Sequence, residues 1–296
     1  MMGRNKGSGD GGDGAKAPKG RLRRVRRPRL QKKVSLNWLI PNILTVCALG
    51  VGLTGLRYAL EGRWEAMVAM VALAAVFDAL DGRVARMLNS TSQFGAQLDS
   101  LSDLVVFGVT PAVSLYLWAL NDTPLGNWGW GAALFFTICA ALRLARFNSE
   151  LPDKPHYAKN YFTGVPIPMA AYLVLLPVVV DARFDVAWVR DGSFVTAWMV
   201  GMGVLAISTL PTWSGKQVHI STRSVLPVLA VIGLAGAALI AQPWLVYIAL
   251  CTGYLCTIPI SGMTYARLKR EAKRLLDQGV EPAPATESAT GPDKPE

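Results

Sequence analysis

From about residue 37 onward the chain is a succession of long apolar blocks separated by short polar interruptions. Blocks such as "MVAMVALAAVF" and "VLPVLAVIGLAGAALIA" approach the ~20 residues that carry a helix across a bilayer. The pattern predicts eight spans, at 37–57, 64–86, 99–120, 129–147, 165–181, 194–211, 224–241 and 243–263. The expected fold class is therefore all-α, a polytopic membrane helix bundle of about eight transmembrane helices. "TGVPIP" predicts a bend at the entry of the fifth span or, equally, a plain helix start at Pro166 and Pro168. After the last block, "RLKREAKRLLDQ" predicts a helix that extends into the cytoplasm or lies on the membrane surface. Three regions follow: a basic disordered tail at 1–36, a transmembrane domain at 37–263, and a helical extension with a disordered tail at 264–296.

Composition strengthens the membrane reading. Hydrophobic residues make up 52% of the 296 positions and charged residues only 17%, against about a quarter in soluble domains. The mean hydropathy is +0.32. The net charge of +10 is concentrated in "KGRLRRVRRPRLQKK", just before the first span. In isolation such a run suits nucleic acid. Beside a membrane segment it reads as a topology signal in contact with anionic headgroups, so membrane lipids are the expected partner and nucleic acid is not. With the N-terminus inside, the inner connections hold Arg83, Arg86, Arg143, Arg146, Lys154, Lys159, Lys216 and Arg223, while the outer "NDTPLGN" and "AQP" hold no positive charge. Arg57, Arg63, Arg183 and Arg190 are exceptions. The asymmetry predicts an even span count with both termini cytoplasmic. Cys47, Cys139, Cys251 and Cys256 lie in apolar stretches and read as packing residues, with neither disulfide nor zinc implied. His156 and His219 fall in inner loops without sequence partners.

One stretch breaks the apolar pattern. "DALDGRVARMLNSTSQFGAQLDSLSD", residues 78 to 103, carries Asp78 and Asp81 three apart and Asp99 and Asp103 four apart, so each pair shares a helix face. The polar turn "MLNSTSQFG" returns the second pair towards the first, so four carboxylates are expected to converge near the cytoplasmic surface. Four such groups cannot all stay ionised without compensation. Hard oxygen ligands select Mg²⁺ or Mn²⁺ rather than zinc. Two such cations bridged by carboxylates suit phosphoryl chemistry. Gly82 inside a helix costs about 1 kcal/mol relative to alanine, which close approach of a ligand would offset. Ala85 is small on the same side, Arg86 is placed to meet phosphate, and Gly95 relieves the entry of the next helix. Together these residues describe a nucleotide-diphosphate site. The competing readings are ion pairs with Arg83 and Arg86, or an acidic ion path in a cation transporter.

The stretch resembles, position for position, the signature D-x-x-D-G-x-x-A-R-x8-G-x-x-x-D-x-x-x-D of the CDP-alcohol phosphatidyltransferase family. The resemblance implies that family's fold and a reaction in which an alcohol displaces CMP from a CDP-linked substrate. It implies metal ligation by Asp78, Asp81, Asp99 and Asp103, with Asp103 also taking the proton of the attacking hydroxyl. Gly82, Arg86 and Ser92 fall where family members contact the CDP-lipid. "PNILT", residues 41 to 45, resembles a further CDP-lipid contact, with Asn42 and Thr45 as candidates.

"FGAQLDSLSDLVVFGVTPA", "CAALRLARFN" and "YFTGVPIPMAA" look like the serine-using, membrane-integral bacterial branch of the family, over roughly residues 37 to 180. Gln97 and Val106 depart from that branch, which often has Glu and Ser there. By resemblance the substrates are CDP-diacylglycerol and L-serine, the location is the bacterial inner membrane, and the assembly is a homodimer. Arg143 and Arg146 are candidates for the serine carboxylate or a lipid phosphate; a positive-inside anchor explains them equally well. Acceptors such as glycerol 3-phosphate, inositol phosphate or choline are the alternatives within the family.

Overall fold

The computed structural model describes residues 36–90, 92–121, 123, 126–149, 161–208, 210–213 and 225–277. The basic run before residue 34, the tail beyond 277, and His156 and His219 lie outside the described residues.

Each of the eight expected segments is helical. The helices are α1 (Leu36–Leu60), α2 (Trp64–Met87), α3 (Gln93–Asp103), α4 (Thr110–Ala119), α5 (Gly126–Ser149), α6 (Ile167–Phe184), α7 (Gly192–Ile207), α8 (Val225–Ala241) and α9 (Pro243–Asp277). A π-helical segment, Leu104–Val109, joins α3 to α4, so these two form one rod and the described residues make eight rods. The chain is a multi-pass helical membrane protein. Five helices are both long and apolar enough to span, with α7 and α8 shorter apolar helices. α2 falls outside the five because its own carboxylates and arginines dilute its apolar run.

One boundary differs from expectation by more than a few residues. The third span begins at Gln93 rather than 99, because Ser92 caps it: its side chain accepts the Gly95 N–H at 3.0 Å. Beyond residue 263 the last span continues as one helix to Asp277, so "RLKREAKRLLDQ" takes the first of its two expected forms, an extension of that helix. Pro166 and Pro168 open α6, so they are helix-start residues.

α6 lies at the centre of the bundle. Leu173, Val174 and Leu175 are all buried, as expected for a helix apolar on every side. Pro177 within it has no N–H to give the Leu173 carbonyl. The Trp198 indole of α7 donates to that carbonyl instead, at 3.0 Å, and the Tyr247 hydroxyl of α9 donates to the neighbouring Tyr172 carbonyl at 2.7 Å. Neighbouring helices thus satisfy backbone groups that lipid cannot.

A two-stranded antiparallel ladder, β1 (Tyr161–Thr163) with β2 (Pro211–Trp213), ties the segment before α6 to the chain after α7. Gly164, at φ +77°, makes the turn; a Cβ there would lie 2.6 Å from the Ser208 carbonyl oxygen and 2.8 Å from that of Ala206. Only glycine fits this approach. The arginines that broke the charge asymmetry have partners at the far end of the bundle. Arg57 and Arg63 both approach Glu61, at 2.8 and 3.7 Å, and Arg190 approaches Asp181 at 3.6 Å while lying over the Trp118 ring.

Candidate active site

α1 and α2 pack side by side, and α3 returns along α1. The return is tight because Gly95 lacks a side chain: a Cβ there would sit 2.9 Å from the Asn42 Oδ1 and 3.1 Å from the Ser92 Oγ. Thr45 joins all three helices. Its hydroxyl lies 2.6 Å from the Asp81 Oδ2 and 3.1 Å from its own helix's Pro41 carbonyl, and its backbone carbonyl accepts the Ser102 hydroxyl at 3.4 Å. Thr45, Asp81 and Ser102 are buried. The Thr45 hydroxyl has one proton to give; given to the charged Asp81 carboxylate it is worth about 1.5–3 kcal/mol, and the Ser102 bond about 1 kcal/mol net.

This scaffold brings Asp78 of α2 together with Asp99 and Asp103 of α3, one carboxylate oxygen of each lying within 4.8 Å of the others. Asp81 stands beside them, held by Thr45. Oxygens on opposite sides of an octahedral Mg²⁺ lie roughly 4.2 Å apart, so the triad fits one such ion with little contraction. The donor set is all hard oxygen, which suits a divalent cation of that class.

Beside the carboxylates opens a cavity of about 190 Å³. All seven residues expected to meet a CDP-lipid line it: Asn42, Thr45, Gly82, Ala85, Arg86, Ser92 and Gly95. Asp81 and Asp99 form its acidic end. A Cβ on Gly82 would touch only the Arg86 guanidinium, at 3.7 Å. It would fill the cavity rather than clash with the protein, so the glycine keeps space for an occupant. Pro41, Ser90 and Ala96 complete the lining. Sequence reasoning passed over Ser90 and Ala96, although both sit inside the motif's unspecified positions. It also missed Ser102, a hydroxyl one helical turn from Asp99.

The structure does not bring Arg143 and Arg146 into this cavity. Arg146 donates to the Ile207 carbonyl at 2.9 Å, closing the C-terminal end of α7. Arg143 is buried on α5. Two contacts fix the level of that helix. A Cβ on Gly108 would lie 3.2 Å from that of Ala140, and the Asn148 side-chain amide donates to the Ser100 hydroxyl at 2.8 Å. The contacts are equally spaced on both antiparallel rods, which sets Arg143 about level with Val105, within one turn of Asp103. Of the departures from the serine-using branch, Val106 is buried against Gly52 of α1 and Gln97 is exposed. Neither lines the cavity.

Comparison with known proteins agrees with this geometry. Residues 38–208, more than half of the chain, match the CDP-alcohol phosphatidyltransferase family, and residues 223–259 match CDP-alcohol phosphatidyltransferase 2. A protein of Mycobacterium leprae, named CDP-diacylglycerol–serine O-phosphatidyltransferase, is 38% identical over 79% of this chain and 78% of its own. Proteins with the same name from Mycobacterium tuberculosis and Helicobacter pylori are 36% and 32% identical, over 80% and 67% of this chain and 82% and 81% of their own. The motif that sits around the cavity lies inside the matched region, and the chain belongs to the CDP-alcohol phosphatidyltransferase family.

Proposed function

We propose that this chain transfers the phosphatidyl group of CDP-diacylglycerol to the hydroxyl of L-serine, forming phosphatidylserine and CMP. One observation carries the reading: a single cavity collects the motif's small, polar and cationic residues against its carboxylates. The names of the relatives support serine as the acceptor.

Asp78, Asp81, Asp99 and Asp103 would hold two divalent cations, Mg²⁺ or Mn²⁺, which when bound neutralise and polarise the pyrophosphate. The chain's own residues do the rest. Arg86 pairs with a phosphate, Gly82 and Ala85 leave room for it, and Asn42, Thr45, Ser92 and Gly95 shape the wall opposite. Asp103 accepts the proton of the serine hydroxyl. The serine oxygen then bonds to the phosphorus that carries diacylglycerol, and the bond from that phosphorus to the CMP oxygen breaks, CMP leaving with the electron pair. Arg143, level with the carboxylate end of α3, receives the serine carboxylate; Arg146 is a second, weaker candidate because α7 already occupies it. Fixed orientation and electrostatic stabilisation supply most of the rate. The enzyme works in the bacterial inner membrane, with both termini in the cytoplasm and as a homodimer.

The test is CMP release from CDP-diacylglycerol by the purified protein with Mn²⁺ or Mg²⁺. L-serine, glycerol 3-phosphate, inositol phosphate and choline are compared as acceptors. Release should depend on serine, stop with chelator, and fall by about 10²–10⁴-fold in Asp103→Asn. Release with a different acceptor would overturn the substrate, and near-normal turnover in Asp103→Asn would remove the base.

A further inference from the structure

The last turn of α2 ends in a way that matters to the cavity. Asn89 adopts a left-handed conformation, φ +48°, uncommon for a residue with a side chain. Its N–H bonds to the Arg86 carbonyl at 3.3 Å, and the Ser90 N–H reaches back to the Ala85 carbonyl at 3.0 Å. This is the paired closure that ends many helices, usually with glycine in the left-handed position. The turn fixes the Ser90 backbone on the two residues, Ala85 and Arg86, that also line the cavity.

Ser90 itself lines that cavity, yet its hydroxyl is withdrawn from solvent and has no hydrogen-bond partner among the described residues. A buried hydroxyl left unpaired costs about 1–3 kcal/mol. Ser92, two residues on, is committed to capping α3. Ser90 has no such structural duty, and one rotation about χ1 turns its hydroxyl among staggered positions towards whatever the cavity holds.

Position along α2 says what that is. Ser90 lies nine residues beyond Asp81, roughly 10 Å along a helix that rises 1.5 Å per residue and then turns. The Arg86 guanidinium lies back beside Gly82, so a ligand anchored by its phosphates there and at the carboxylates reaches Ser90 with a group beyond them, and the nucleoside, rich in donors and acceptors, is the end that answers a buried hydroxyl. We propose that Ser90 is a specificity residue whose hydroxyl hydrogen-bonds the nucleoside end of the CDP-linked substrate, held there by the left-handed turn at Asn89. The assignment rests on the reading of this cavity as a nucleotide site, and serine as acceptor is not needed for it.

Two measurements on Ser90→Ala and Ser90→Thr test it. The first is binding of CMP to the protein in Mn²⁺, by calorimetry and as a competitive inhibitor. The second is the thermal midpoint without nucleotide. In Ser90→Ala, the CMP dissociation constant and the KM for CDP-diacylglycerol should both rise about five- to tenfold, with the loss falling on KM rather than kcat. Pyrophosphate inhibition should stay as in the wild type, and Ser90→Thr should restore CMP binding. The midpoint of Ser90→Ala should hold or rise, since an unpaired buried hydroxyl has gone. A CMP affinity unchanged in Ser90→Ala would overturn the assignment. So would a lowered midpoint with equal losses towards CMP and pyrophosphate, the mark of a structural residue. A wild type that binds CMP but does not use serine would overturn the acceptor while the loss of CMP binding in Ser90→Ala still upheld Ser90.

Discussion

Thr45 serves two helices from one position on α1. Its hydroxyl holds the Asp81 carboxylate at 2.6 Å, and its carbonyl receives Ser102 from α3 at 3.4 Å. The sequence marked Thr45 as a substrate contact; the structure adds that it orients a carboxylate expected to ligate metal. Residues that orient metal ligands typically matter 10–100-fold for metal affinity or activity. Thr45→Val keeps the shape, removes the donor and leaves the backbone bond to Ser102 in place. It should weaken Mn²⁺ binding by about that factor, read by titration against the purified protein, and Thr45→Ser should recover most of it. Mn²⁺ affinity unaltered in Thr45→Val would confine Thr45 to the cavity wall. The four aspartates were legible because they fall within 26 positions and a helix converts such spacing into a shared face. The Thr45 contacts were not, since they join residues 36 and 57 positions apart.

At the scale of elements, the π segment Leu104–Val109 follows directly on Asp103. It inserts an extra residue into the rod, rotating the face of α3 that carries Asp99 and Asp103 relative to the face of α4 that packs in the core, by comparison with an unbroken α-helix of the same sequence. Gly52 accommodates the segment: a Cβ there would lie 2.6 Å from the Val106 Cγ2. Deleting Val105 removes that extra residue, so regular α-helix can replace the π turn with both faces left where they are. The variant should insert, remain helical by circular dichroism and keep Mn²⁺ binding. Loss of Mn²⁺ binding in the deletion would show that the π turn itself sets the carboxylates. Nothing in "LVVFGV" announces the segment, since an unbroken apolar run reads alike as α or π. The continuation of α9 was legible, by contrast, because the helix-forming "RLKREAKRLLDQ" follows close on the apolar run.

For the whole molecule, a divalent cation held by Asp78 of α2 with Asp99 and Asp103 of α3 would couple metal binding to the way these helices are held together. An ion that binds only the folded state stabilises it by mass action, about 2.7 kcal/mol at a hundredfold excess over its dissociation constant. Mn²⁺ or Mg²⁺ should therefore raise the thermal midpoint of the detergent-solubilised protein, and chelator should reverse the rise. Asp78→Asn should lose most of the shift. A midpoint indifferent to divalent cation in the wild type would separate the acidic cluster from metal. The same scale accounts for the arginines at the far end of the bundle, which broke the charge asymmetry in the sequence. Arg57, Arg63 and Arg190 have carboxylate partners there.

The sequence by itself determined the membrane class, the eight helical segments, the family and the residues of the acidic motif. Each of these depends on local spacing, on the length of an apolar run or on a helix face, and local spacing survives without a fold. The tertiary structure decided how those residues are arranged. It gathered Asn42 of the first helix with Ser92 and Gly95 of the third around one cavity, gave Thr45 a carboxylate to hold, occupied Arg146 with the end of α7, and left the Ser90 hydroxyl at the cavity wall without a partner among the described residues. Those outcomes depend on which helices meet and at what level, and packing between distant segments sets both.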